Sequence, residues 1–171
     1  MGFSLLPAFM FPGITEISPT FLNKTGIKFL MVDLDNTLAA YDEHSPSDDI
    51  LKWISSIKES GITPAIISNS SRVMRVSSFA ESFDINSIAL ARKPSPINVL
   101  YLMETFNFKA NESALIGDQI FTDILAANRA GVISIIVKPR KFTNVFLKIR
   151  YVIELPIRYI SRIKKKDDQI K

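Results

Sequence analysis

Five short apolar runs punctuate this chain, at 27–33, 63–67, 87–91, 113–117 and 132–137, and stretches with helical spacing separate them. A short, almost wholly apolar run fits a strand covered on both faces better than one with a wet side. Such strands alternating with helices of about 10–14 residues predict an α/β fold, a Rossmann-like doubly wound parallel sheet. The helix signals are local. Ser18-Pro19 opens a short helix that stops by Gly26, and Ser47-Asp48-Asp49 caps one running through Ile50, Leu51, Trp53, Ile54 and Ile57 to Gly61. Further helices are expected over 70–83, 95–106 and 121–130, the last closed by Gly131.

The residues just past each run carry the chemistry. Asp33 and Asp35 end the first, Ser68-Asn69-Ser70 comes after the second, Arg92-Lys93-Pro94 after the third, and Gly117-Asp118 with Asp123 after the fourth. A parallel sheet brings these strand ends to one edge, where open α/β folds bind ligands. Residues spread over about 90 positions should therefore meet in one site with several carboxylates, a lysine, a serine and helix N-termini able to face a phosphate. Each piece alone has a plain reading: a strand-end turn with capping acids, a helix cap, a solvated loop lysine, a tight turn. Their order after successive strands makes the set specific. Acids so close repel unless a cation lies between them, and a divalent metal with a phosphate beside it is the obvious candidate.

The residue inventory narrows the chemistry. There is no cysteine and a single histidine, His44, so thiolate sites, disulfides and His-based triads are excluded or disfavoured. Catalysis must run on carboxylates, hydroxyls and lysine. His44 reads as an exposed loop residue, and Trp53 and the phenylalanines as core. The apolar N-terminus lacks an early basic residue, is interrupted by Pro7 and Pro12, and is too short to span a bilayer, so neither a signal peptide nor a membrane span is expected there.

In these residues the chain resembles the haloacid dehalogenase (HAD) superfamily, subfamily IIIA, over about residues 25–138. Its four signature elements stand in order: Asp33-Leu-Asp35-Asn-Thr37, Ser68, Lys93, and Gly117-Asp118 with Asp123. The strings VDLDNTL, SNSS, ARKP, GDQIFTD and NRAG are similar to the YqeG family of small phosphatases, itself similar to the mitochondrial phosphatidylglycerophosphate phosphatases. The resemblance implies Asp33 as nucleophile forming an aspartyl-phosphate. It implies Mg2+ held by Asp33, the Asp35 main-chain carbonyl and Asp118. Asp35 would be general acid and base, Ser68 and Lys93 would grip phosphoryl oxygens, Thr37 and Asn69 would complete the phosphate cradle, and Asp123 would orient Lys93 or the metal shell. The dehalogenase relatives lack a carboxylate at the Asp35 position and the ion pumps carry threonine there, so hydrolysis of a phosphomonoester is favoured.

Spacing excludes a large cap domain. Only 30 residues separate Asp35 from Ile66, enough for a loop, one helix and a strand, and the gap from Asn69 to Arg92 is no roomier. The site should be open, as a large or surface-bound substrate requires.

The charge is split. Residues 1–137 hold 10 Lys/Arg and 14 Asp/Glu, whereas 138–171 hold 11 and 3. Three parts are expected: an N-terminal arm with a short helix (1–26), the HAD-like domain (27–138) and a basic amphipathic tail (139–171). In the tail Val145, Ile149, Val152, Pro156, Tyr159 and Ile163 stand at helical spacing among basic residues, with Pro156 expected to kink or split the helix. Three readings stay open: an apolar face packed on the sheet domain, an interfacial helix on an anionic membrane, or RNA binding. The expected partner is a phosphomonoester, with an anionic phospholipid first (phosphatidylglycerophosphate), and the expected location is the cytoplasm, peripheral on the inner membrane face. The alternatives are a phosphatase for a soluble phosphomonoester or nucleotide, and a non-enzymatic RNA- or ribosome-binding module. DNA is not expected, and no RNA motif accompanies Tyr151 and Tyr159.

Overall fold

The structure, a computed structural model, describes residues 4–142 and 145–168. Its centre is a parallel sheet of six strands: β1 (Phe9–Phe11), β2 (Phe29–Val32), β3 (Thr63–Ile67), β4 (Asn86–Ile88), β5 (Ser113–Gly117) and β6 (Ile133–Val137). The spatial order is β1-β6-β5-β2-β3-β4, and every paired neighbour runs parallel. Helices α1 (Pro19–Lys24), α2 (Asp48–Glu59), α3 (Val73–Phe83), α4 (Ile97–Thr105), α5 (Leu125–Ala130) and α6 (Val145–Asp168) complete the chain.

Side-chain alternation along the strands explains the two-sided cover. Leu30 and Val32 of β2 join Ile66, Ala114 and Ile116 in one cluster, which α2 covers with Ile50, Trp53, Ile54 and Ile57 and α3 with Val76, Phe79, Ala80 and Phe83. Phe29 and Met31 turn to the other face, with Ala65, Ile67 and Leu115, under Val99, Leu102 and Met103 of α4 and Ala126, Ala127 and Ala130 of α5. All four β2 residues are buried, as the apolar run required. The doubly wound architecture expected from the sequence is the one observed, and no separate cap domain stands among the described elements.

Four features differ from the sequence reading. The N-terminal segment supplies a strand: β1 extends the sheet beyond β6, pairing Phe9 with Ile135 and Phe11 with Val137, while Ala8 N donates to Ser134 Oγ at 3.0 Å. Three residues between two prolines carry too little pattern to be seen, and their partner lies over 120 positions away. The third strand is 86–88, not 87–91, because the chain then turns through left-handed residues at Leu90 and Arg92 to deliver Lys93. The expected helix at 121–130 opens as a π-helical turn, Ile120–Ile124, before α5 begins. Lastly, α6 runs through Pro156 as one helix.

The tail helix is also turned opposite to a simple core-packing arrangement. Glu154, Arg158 and Ser161 are buried against the domain, whereas Val145, Ile149, Val152 and Tyr159 are 52–66% exposed. Ile157 is the apolar residue that reaches a core cluster, beside Ile120, Ile124 and Ile136. No helix among the described residues is long and apolar enough to cross a membrane.

Candidate active site

The C-terminal ends of β2, β3 and β5, with the loop after β4, converge on one cavity of about 410 Å3. Asp33, Asp35, Ser68, Asn69, Lys93 and Asp123 all line it. Asp33 continues β2, and its N–H still donates to Ile116 O at 2.9 Å, so the sheet ladder itself fixes the nucleophile candidate. Beyond it the chain folds back at once: Thr37, Leu38 and Ala39 all donate to Leu34 O, and Asn36 takes a left-handed conformation.

Lys93 is the hub. Its Nζ lies 2.7 Å from Asp33 Oδ1, 2.7 Å from Asp123 Oδ1 and 2.7 Å from Ile67 O, with only 4% of the residue exposed. The Asp123 contact is a buried ion pair. Asn69 holds the lysine's backbone at both ends: its Nδ2 donates to Lys93 O and its Oδ1 accepts from Lys93 N, each at 2.8 Å. Asn69 itself lines the cavity. The side-chain amide is committed to steadying the lysine strap.

Asp33, Asp118 and Asp123 bring one carboxylate oxygen each within 4.8 Å of one another, all three residues buried. Burial pushes the Asp33 carboxyl up to about 7 against the pull of Lys93, with Asp123 and Asp35 adding repulsion. Asp118 is raised well above the carboxylate range, first by burial and then by Asp123, Asp33 and Glu154. Burial opposes the charge on Lys93, yet Asp123 and Asp33 outweigh it and hold the ammonium above its ordinary range. Three acids facing one lysine leave an excess of buried negative charge, and Asp118 Oδ1 is buried with no hydrogen-bond partner. A divalent cation fits that donor set: hard oxygens, crowded, short of positive charge.

The packing there leaves no room for one more carbon. A Cβ at Gly117 would lie 2.2 Å from Asp123 Cγ, so only glycine lets Asp123 close on the strand end, where its Oδ2 accepts from Gln119 N at 3.1 Å.

Asp35 stands apart from the acid cluster. Its Oδ1 is 2.6 Å from Arg75 Nη1 and 3.7 Å from Arg72 Nη2. Its carboxylate is paired with these arginines and is not part of the Asp33–Asp118–Asp123 group. Arg75 also donates to Ala40 O (2.8 Å) and Glu43 O (3.0 Å), tying the loop after Asp35 to α3. Ser68 is fully buried and its Oγ accepts from Ser70 N at 3.1 Å, leaving its hydroxyl proton for an anion. Thr37 is not among the lining residues. Its hydroxyl is buried without a partner beneath the turn, contrary to its expected place on the phosphate. The sequence reading missed Tyr41, Arg72, Arg75, Gln119, Thr122 and Arg150, of which all but Arg75 line the cavity. Gln119 and Thr122 stand in the GDQIFTD string that carried the family resemblance, but nothing in the local pattern of the arginines or Tyr41 distinguishes them from solvated residues.

Residues 10–131 match the family described as haloacid dehalogenase-like hydrolase. The chain belongs to the haloacid dehalogenase-like hydrolases. It is 32% identical over 161 residues to the probable phosphatase YqeG of Bacillus subtilis (strain 168), spanning 94% of this chain and 92% of that one. Among solved structures, an uncharacterized protein from Listeria monocytogenes serotype 4b superposes with a TM-score of 0.55 at 19% identity, covering 70% of this chain and 84% of that one. The 3-deoxy-D-manno-octulosonate 8-phosphate phosphatase of Moraxella catarrhalis, in complex with magnesium, phosphate and KDO, gives 0.51 at 19% identity, covering 88% and 97%. These two likenesses carry the fold. Asp33, Ser68 and Lys93 line the cavity, and Asp118 lies behind its wall, with a carboxylate oxygen within 4.8 Å of those of Asp33 and Asp123.

Proposed function

We propose that this protein is a Mg2+-dependent phosphomonoester hydrolase that works through an aspartyl-phosphate on Asp33, with phosphatidylglycerophosphate as its substrate. The observation that carries the reading is Lys93 Nζ wedged between Asp33 and Asp123, whose carboxylates gather with that of Asp118, its Oδ1 unpartnered. That is a nucleophile, an anion grip and a cation site side by side. The similarity to a probable phosphatase supports it, as does the phosphate and magnesium bound by the Moraxella relative of the same fold.

Asp33, Asp118 and Asp123 are the side chains that would hold the metal, with the Asp35 carbonyl. When bound, Mg2+ offsets the repulsion between an anionic nucleophile and an anionic phosphate. Asp33 Oδ attacks phosphorus as the bond to the leaving oxygen breaks, and Asp35 gives that oxygen its proton. Asp35 then takes a proton from the water that attacks the aspartyl-phosphate, which frees Asp33 and inorganic phosphate. Ser68 Oγ–H and Lys93 hold the phosphoryl oxygens as charge builds.

The lipid substrate rests on three supports. The resemblance to the phosphatidylglycerophosphate phosphatases names the substrate class. The cavity has no cap domain over it among the described elements. The outward face of α6 is apolar and lies in the most basic part of the chain, which suits docking on an anionic membrane at its cytoplasmic face. The test is phosphate release from phosphatidylglycerophosphate in vesicles against a panel of soluble phosphomonoesters, with the full chain and Mg2+. Preference for the lipid supports the reading. Efficient turnover of soluble esters alone would move the assignment to a soluble substrate. The Asp33→Asn chain should fold and lose turnover by at least about 1,000-fold, since the covalent step has no other acceptor.

A further inference from the structure

The buried side of α6 reaches the active site through three side chains one turn apart. Arg150, Glu154 and Arg158 stand at i, i+4 and i+8, which places them on one helix face. Glu154 Oε1 accepts from Ile120 N at 2.8 Å, and its Oε2 takes Arg158 Nη2 at 2.9 Å. Arg158 also donates to Asp118 O and to Val137 O. Both residues are at most 4% exposed. This pair moors the helix to the loop that carries Asp118. One turn earlier the stripe emerges at the cavity, where Arg150 lines the wall and donates to Gln119 Oε1.

A second arginine lines the same cavity from the start of α3. Arg72 Nη1 donates to Tyr41 O at 3.1 Å, and its guanidinium carbon lies 5.9 Å from the Tyr41 ring centroid. Both arginines are exposed, unlike Lys93. Lys93 stands at the buried floor beside Asp33, where with Ser68 it would grip the phosphate that reacts. The cationic groups at the exposed part of the wall are therefore not needed to hold the phosphate that reacts at Asp33. A guanidinium has five N–H donors in a fork that matches phosphate oxygens, and few of these are used here.

We propose that Arg150 and Arg72 form a second anion subsite, which takes a phosphodiester carried by the substrate a short chain away from the scissile phosphomonoester. The inference rests on the phosphatase reading and deepens it: it requires a substrate with two phosphate groups of different kinds. Because Arg150 stands on the moored stripe of α6, the tail helix is a specificity element of the active site as well as a covering for the domain.

The test uses two soluble probes with the full chain and Mg2+. Glycerol 3-phosphate carries one phosphate; glycerophosphoglycerophosphate carries the same monoester group plus a phosphodiester. The unaltered chain should prefer the second by about 10-fold or more in kcat/KM, mostly through KM. Arg150→Gln should remove most of that preference, and Arg150→Lys should keep part of it. Equal losses on both probes would assign Arg150 a structural role and overturn the subsite, as would an unchanged ratio. If neither probe turns over, the vesicle assay decides the phosphatase reading and binding decides the subsite. Calorimetric titration of both probes into the unaltered and Arg150→Gln chains then decides the subsite. Tighter binding of the diester probe that vanishes in the variant sustains it, and equal binding ends it.

Discussion

Arg75 Nη1 rests 2.6 Å from Asp35 Oδ1, across forty positions of sequence, and the same guanidinium spans the carbonyls of Ala40 and Glu43. One side chain thus fixes the carboxylate proposed to move the proton and the loop beyond it. Its side chain is only 7% exposed, so the pair is little screened by water.

Arg75→Lys keeps the charge but cannot serve three acceptors from one rigid fork. Losing two hydrogen bonds to carbonyls of the loop should cost about 1–3 kcal/mol of stability. Turnover should fall about 10-fold or more as Asp35 loses its fixed orientation. The Mg2+ concentration for half-maximal activity should stay put, because Arg75 touches none of the three clustered acids. Melting curves and metal titrations of the variant check all three outcomes.

Gly117→Ala is a sharper test of the acid cluster. The added methyl would stand 2.2–2.4 Å from Asp123 side-chain atoms, so Asp123 must leave its place between Gln119 N and Lys93. Overpacking of this kind costs about 1–3 kcal/mol. Activity should fall by a larger factor than stability alone explains, with weaker Mg2+ dependence, since one cluster member has moved. Full activity in a well-folded Gly117→Ala chain would contradict the role given to Asp123.

Metal and pH act on the same groups. Burial raises the Asp33 carboxyl from 3.8 to about 7, so the folded protein binds that proton more tightly than the unfolded chain does. By linkage, the metal-free protein then loses stability as pH rises from about 4 through about 7, and has lost this contribution fully above that. Mg2+ competes with the proton, so its stabilising effect should be small at pH 5.5 and full at pH 8. With free metal at 100 times its dissociation constant the gain is about 2.7 kcal/mol, or a rise in Tm of about 5–10 °C for a chain of this length. Thermal melts with EDTA and with Mg2+ at the two pH values measure it; equal shifts at both would refute the assignment.

The strands at 63–67 and 113–117 were legible residue for residue, because a strand buried on both faces must be apolar throughout and bounded by turn formers. The order of Asp33, Ser68, Lys93 and Asp118 was legible for a topological reason: parallel strands put their C-terminal ends on one edge, so position along the chain predicts position in space. Asn69 and Thr37 show the limit of that rule. Both belong to the right segments, but one points its amide into the lysine strap and the other buries its hydroxyl under a turn. Sequence placed the segment and could not aim the side chain.

The tail shows the same division in its strongest form. Sequence alone determined a basic, amphipathic helix after residue 139 and a five-strand α/β core, since hydrophobic period and charge content are properties of neighbours in the chain. Tertiary structure decided which face of that helix turns inward, that β1 joins the far edge of the sheet, and that Arg75 and Arg150 belong to the active site. Those outcomes depend on partners tens of positions away, on the buried carboxylate of Glu154 finding Ile120 N and Arg158 finding the carbonyls of Asp118 and Val137. No local pattern encodes them, because a buried polar group is tolerated only where the fold happens to supply its hydrogen-bond partners.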